Sequence, residues 1–143
     1  MTGNILHKID FRLSYGECDP AGIVYFAAYY PWFERVFNEW TFLNGFPPDK
    51  MRDLWGATHV SRASGCEYLI PGRLFEPFTC QMVLGHLGTT SFSMRFDVVN
   101  RDDAKTYATG SMAFVFIDDQ FPPRPVPVPD GLKKELRARG CDV

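Results

Sequence analysis

Nowhere does this chain carry the roughly 18 consecutive apolar residues that a bilayer-crossing helix needs. Met1 to Asp10 also lack the continuous apolar core of a secretory leader, so the sequence predicts a cytoplasmic protein. An excess of either charge is missing too: 17 acidic residues against 15 basic ones leave a formal net charge of -2. With no local Lys/Arg cluster either, a broad electrostatic attraction for nucleic acid or anionic membrane is excluded. Cysteine is sparse and unpaired in pattern. Cys18, Cys66, Cys80 and Cys141 form no CxxC motif, and His7, His59 and His86 do not stand at metal-ligand spacing with them. The expectation is reduced, structural cysteines, with no metal and no cofactor.

What is present is an ordinary globular balance, 45% hydrophobic and 22% charged residues. The 143 residues, without repeats or a long polar linker, fit one domain spanning 1–143. Thirteen Phe, six Tyr and three Trp are many for that length, which predicts an aromatic core, with some rings left for an interface or an acyl pocket.

From Lys8 to Tyr15, polar and apolar residues alternate, the period of a half-buried strand. Gly16, Asp19, Pro20 and Gly22 then crowd turn formers into one loop. Between Tyr25 and Asn44, Tyr29, Trp32, Phe33, Val36, Phe37, Trp40 and Leu43 recur at three- and four-residue intervals, which predicts an amphipathic helix about 30 Å long, ended by Gly45, Pro47 and Pro48. Pro31 conflicts with a regular helix interior; either the helix begins close to it or the first turn is kinked. Four further strands are predicted at Ala57–Ile70, Thr79–Leu87, Ser91–Asn100 and Thr106–Ile117, with a hairpin at Arg101, Asp102 and Asp103. A peripheral C-terminal helix is expected over Asp130–Arg139. One strand, one long helix and then antiparallel strands define an α+β layer, a sheet laid over a helix. Such a layer leaves an edge strand and an open face, and pairing two copies removes both, so at least a dimer is expected.

Asp19 lies in the turn a few residues ahead of the helix. The first backbone N–H groups of a helix have no intrahelical acceptor and carry partial positive charge, so they can polarise a carbonyl oxygen such as that of a thioester. Gly22 offers no side chain to obstruct that approach. On the residues alone, Asp19 is either a catalytic carboxylate or a group bonded to its own turn or to the helix cap.

The run Asp19-Pro20-Ala21-Gly22-Ile23-Val24-Tyr25-Phe26, followed by Tyr29 and Phe33-Glu34, resembles the signature of the 4-hydroxybenzoyl-CoA thioesterase family and its acyl-CoA thioesterase relatives. The resemblance continues more loosely through Glu67-Tyr68-Leu69-Ile70-Pro71, Ser91-Phe92 and Ala108–Phe116. It implies the hotdog fold, a five-stranded antiparallel sheet wrapped around a long central helix, in a homodimer or homotetramer with sites between subunits. It implies an acyl-CoA substrate, Asp19 as catalytic carboxylate, and a carbonyl polarised by the backbone amide of Tyr25 or Phe26. Gly22 and Tyr29 are implied on the substrate side, and Glu34 either at the acyl end of the pocket or in a helix-surface contact with Arg35. Two departures stand out. Phe26, Ala27 and Ala28 replace the Asn or His of many relatives, and Gly88-Thr89-Thr90-Ser91 lacks the basic turn of the hydroxybenzoyl branch. Phosphates of CoA would then turn to Arg73, Arg101, Lys105 or Arg124. Asp19 would either attack the thioester or deprotonate water, and direct attack is preferred because a carboxylate is a weak base at neutral pH. The alternatives are an acyl-carrier-protein thioesterase and a non-enzymatic acyl or aromatic-ligand binder. Val24 stands where the hotdog hydratases carry a histidine, which argues against that chemistry.

Overall fold

In a computed structural model of the protein, residues 3–143 are described. Five strands, β1 (Ile5–Arg12), β2 (Thr58–Tyr68), β3 (Pro77–Leu87), β4 (Ser91–Asn100) and β5 (Thr106–Ile117), form one antiparallel sheet in the order β1-β3-β4-β5-β2. The helix α1 (Tyr29–Leu43) lies on one face of it, with the short α2 (Met51–Trp55) and the C-terminal α3 (Asp130–Ala138) at its borders. This is the hotdog arrangement. Among the described residues, no helix is long and apolar enough to cross a membrane.

β2 runs Thr58–Tyr68 and β3 Pro77–Leu87, each within about two residues of the sequence reading; two elements depart further. The first strand runs from Ile5 to Arg12 instead of Lys8 to Tyr15, because Ser14 caps a 3-10 turn over Tyr15–Glu17 that takes the chain out of the sheet. The α-helix starts at Tyr29, after a separate 3-10 turn over Phe26–Ala28. A helix begun at Tyr25 would place Pro31 where its ring meets the carbonyl one turn back. Begun at Tyr29, it holds Pro31 within the first four residues, whose amides have no intrahelical acceptor in any case. The 3-10 turn (3 residues) and α1 (15 residues) together span 18 residues, and α1 alone is about 22 Å long.

The face that α1 turns to the sheet carries Tyr29, Trp32, Phe33, Val36, Phe37, Trp40 and Thr41, all buried. Phe33 stacks on Phe96 at 4.7 Å, and Phe37 stacks on Phe114 at 4.8 Å. Most of the aromatic excess in the composition is therefore core, each fully buried ring contributing on the order of 2 kcal/mol from apolar burial.

Among the described residues, two side chains place buried polar atoms in this core without a hydrogen-bond partner, the Trp40 indole N–H and the His59 ring. His59 of β2 is surrounded by Phe37, Phe92, Phe114 and Phe116, with ring centroids 4.8 to 6.1 Å away. Neither of its ring nitrogens has a hydrogen-bond partner. Burial lowers its pKa to about 4. The folded value thus lies below the unfolded value of about 6.5, so the neutral ring's stability is fully present above pH ~6.5 and is lost as pH falls toward 4. At the acid end this amounts to about 3 kcal/mol. Urea titrations at pH 7 and pH 4 should show the wild type losing about that much more stability than His59→Leu. Equal losses in the two proteins would remove His59 as the cause.

Candidate active site

The loop between β1 and α1 is held by short-range hydrogen bonds that its sequence dictates. Pro20 and Ala21 form the centre of a turn in which Gly22 N–H donates to the Asp19 carbonyl (2.9 Å). Gly22 adopts φ +77°, which its lack of a side chain permits. Its role in the loop is conformational: a Cβ there would meet nothing within 4 Å, and Gly22 is set back from the residues lining the cleft described below. Asp19 Oδ1 accepts from Ala21 N–H (2.8 Å), an Asx turn that leaves Oδ2 without a partner in its own loop. One oxygen thus orients the side chain within its own turn, and the other is left open.

Beyond the turn, Asp19 N–H donates to the Ile23 carbonyl (2.9 Å), and Val24 N–H donates to the Gly72 carbonyl (2.9 Å). The Asp19 loop is thereby tied to the segment between β2 and β3. Tyr25 N–H donates to the Glu17 carbonyl (2.8 Å). Of the two amides expected to polarise a carbonyl, that of Tyr25 is thus already engaged. The Phe26 N–H opens the 3-10 turn and has no acceptor among the described residues.

Asp19, Ile23, Val24, Tyr25, Phe26 and Tyr29 line one side of a cleft of about 330 Å³; Tyr68, Leu69, Ile70 and Pro71 line the other. Larger recesses exist, about 650 Å³ between the β3–β4 turn and α3 and about 520 Å³ between β1 and α1. Neither contains Asp19 or the Phe26 amide, so chemistry rather than size selects the smaller cleft. Its walls are apolar and aromatic. Tyr29 is buried, and burial, with smaller contributions from Cys66 and Tyr68, pushes its phenol up to about 12, which keeps it protonated. Tyr68 O–H donates to the Phe26 carbonyl (3.2 Å) and its ring lies 5.3 Å from that of Tyr29. Sequence reasoning assigned no role to Tyr68; its place in the Glu67–Pro71 stretch, where the family resemblance continues, was the available signal. Cys18, beside Asp19, has its thiol raised by burial and by the charges of Asp19 and Glu17, which disfavours a thiolate nucleophile.

Glu34 does not join this group. It lies five residues beyond Tyr29, about 140° around the helix, and faces a separate recess with Pro31, Arg35, Asn38, Glu39 and Phe42. Its carboxylate accepts from Asn38 Nδ2 (3.3 Å), not from Arg35. Within one protomer Glu34 thus makes a helix-surface contact, with Asn38 in place of Arg35.

A family model described as the thioesterase-like superfamily matches residues 13–136. The chain belongs to the thioesterase-like superfamily. As a member it is a thioester hydrolase. A protein of Aquifex aeolicus named as an esterase is 32% identical over 93 residues, covering 65% of this chain and 72% of the relative. The 4-hydroxybenzoyl-CoA thioesterase of a Pseudomonas species is 37% identical over 51 residues, 36% of this chain and 32% of that enzyme. Among solved structures, a 1,4-dihydroxy-2-naphthoyl-CoA thioesterase from Synechocystis superposes with a TM-score of 0.84 over 95% of this chain and 98% of its own. At 11% identity that last likeness is one of fold. The superfamily match includes the Asp19 loop, α1 and all strands after β1.

Proposed function

We propose that this thioesterase hydrolyses a small aromatic or aliphatic acyl-CoA, with Asp19 as nucleophile or general base and the Phe26 amide polarising the thioester carbonyl. One observation carries the reading: an uncommitted carboxylate oxygen and an uncommitted amide flank the same apolar cleft. As nucleophile, Asp19 attacks the carbonyl carbon, the C–S bond breaks, and CoA leaves as thiolate; water then cleaves the mixed anhydride to acid and free Asp19. As base, Asp19 takes a proton from the water that attacks directly. In either route the carbonyl oxygen gains negative charge, which the Phe26 N–H stabilises. The weak basicity of a carboxylate favours direct attack.

Of the four cations considered for the CoA phosphates, two are engaged elsewhere. Arg101 donates to the Phe78 carbonyl (2.7 Å) and pairs with Asp10 (3.5 Å), while Arg124 pairs with Asp118 (2.9 Å). Lys105 stands in the β4–β5 hairpin, two residues before Tyr107, whose carbonyl accepts from the Leu69 and Ile70 N–H groups. Arg73 is exposed in the segment bridged to Ile23 beside the cleft, and we assign it the phosphates. The enzyme is proposed to work as a dimer at least. The edge strand β2 is exposed from Val60 to Ser64, and α1 exposes Phe42 and Leu43 on its outer face, two surfaces that further copies would cover. Four free cysteines accord with a reducing cytoplasm.

The test is a panel of CoA thioesters in which chain length and ring are varied separately, with acyl-carrier-protein thioesters alongside. Hydrolysis concentrated in one acyl class of CoA esters is expected. Tight binding of acyl-CoA with no hydrolysis anywhere on the panel would convert the protein into a ligand carrier. Light scattering on the same preparation should give a multiple of the 16.3 kDa chain mass; a monomer would count against the shared site.

A further inference from the structure

Glu17 bonds Ser14 and Trp32 through its carboxylate and Tyr25 through its backbone carbonyl, and nothing in the proposed chemistry uses its side chain. Its Oε1 accepts from Ser14 N–H (2.9 Å) and from Ser14 O–H (3.0 Å), at the end of β1. Its Oε2 accepts from the indole N–H of Trp32 (2.5 Å), fifteen residues away on α1. Its own carbonyl accepts from Tyr25 N–H. A local cap over the Tyr15–Glu17 turn would require only the first two bonds; the bond to Trp32 goes beyond that need.

We propose that Glu17 is a positioning residue for hydrolysis, a clamp that fixes the Asp19 loop against the start of α1. This rests on the assignment of Asp19 and the Phe26 amide given above. Through its backbone, residue 17 occupies the Tyr25 amide, which makes that of Phe26 the first free donor facing the cleft. Through its side chain, it holds the indole of Trp32, which packs against Tyr29 (5.1 Å) in the cleft wall and against Phe11 of β1 (4.5 Å). Asp19 follows two residues later in the same chain segment. A shift of the loop relative to the helix therefore changes the separation between carboxylate and amide, the one distance that the attack on a carbonyl depends on.

The glutamine variant tests the charge and the double acceptance together. Glu17→Gln keeps the size but replaces one acceptor oxygen by an NH₂ group, so either Ser14 N–H or the Trp32 indole must face another donor. Glu17→Gln is expected to lower kcat by roughly 10- to 100-fold with KM for acyl-CoA changed less than about 3-fold. Trp32→Phe removes the partner and should lower kcat in the same direction. The two losses should combine to less than their product, because each breaks the same bond. A kcat within about 2-fold of wild type in both variants, or fully multiplicative losses, overturns the clamp. So does a kcat loss that vanishes on cooling well below the unfolding temperature, which would mark a general stability role. Added to Asp19→Asn, Glu17→Gln should cost no further activity. If Asp19→Asn itself remains active, the assignment of Asp19 fails on that result alone, whatever Glu17→Gln does.

Discussion

Asp19→Asn is expected to lower kcat on the preferred acyl-CoA by at least about 10³-fold while acyl-CoA binding stays within about 3-fold of wild type. Asparagine preserves the shape of the side chain and the oxygen that accepts from Ala21 N–H (2.8 Å), so the turn and Gly22 conformation should survive. What it removes is the charge and nucleophilicity of the outer oxygen. A 10³-fold loss corresponds to about 4 kcal/mol of transition-state stabilisation, more than the loss of a cap or turn contact ordinarily produces. The measurement is single-turnover hydrolysis alongside binding by calorimetry and a thermal melt. A variant retaining a tenth of wild-type kcat would sink the assignment. Running the wild type in heavy-oxygen water separates the two routes: label accumulating in Asp19 over several turnovers supports the anhydride, and label confined to the acid product supports the general base.

Gly110→Ala should be the most damaging conservative change in the sheet. Gly110 of β5 lies directly under Phe33 of α1, and a Cβ there would stand 2.3 Å from Phe33 Cε2 and 2.4 Å from Cζ. No atom pair tolerates that approach, and Phe33 cannot rotate freely because it is fully buried and stacked on Phe96. The helix must rise or the core must repack, at a cost of about 3 kcal/mol. Phe33 is four residues from Tyr29, so the same displacement moves the cleft wall. Chemical denaturation should show the loss, and Phe33→Leu in the Gly110→Ala background should recover part of it by vacating the clash. A variant within about 1 kcal/mol of wild type would mean the sheet yields locally.

The element order was legible because the relevant signals are local. Alternation from Lys8 to Tyr15, the three- and four-residue spacing from Tyr29 to Trp40, and the turn formers at Asp102 and Asp103 each encode one element without reference to the rest. The helix start was harder to place, since a proline at position 31 accommodates either a kink or a first turn, and only the separate 3-10 turn over Phe26–Ala28 distinguishes them. The short α2 after Pro48 gave no periodic signal; five residues are too few to show one.

For the candidate site, the carboxylate in the Asp-Pro-Ala-Gly turn was readable as a chemical feature, and so was the stretch of amides that follows it. Which amide remains free was not, because that depends on whether the Glu17 carbonyl reaches Tyr25, a hydrogen bond across eight residues of irregular chain. Tyr68 and Pro71 meet Asp19 only because β2 pairs with β5 at the edge of the sheet and delivers its end beside the helix start. Glu34, adjacent in sequence to the core residue Phe33, points away from the cleft by helical rotation. The sequence by itself determined the five strands, the apolar face of the helix and the presence of a turn-borne carboxylate, all set by neighbours within a few residues. Tertiary structure alone decided which groups share the cleft, since convergence of Asp19, Phe26 and Tyr68 follows from strand order and helix docking, and these are fixed by packing between residues far apart in the chain.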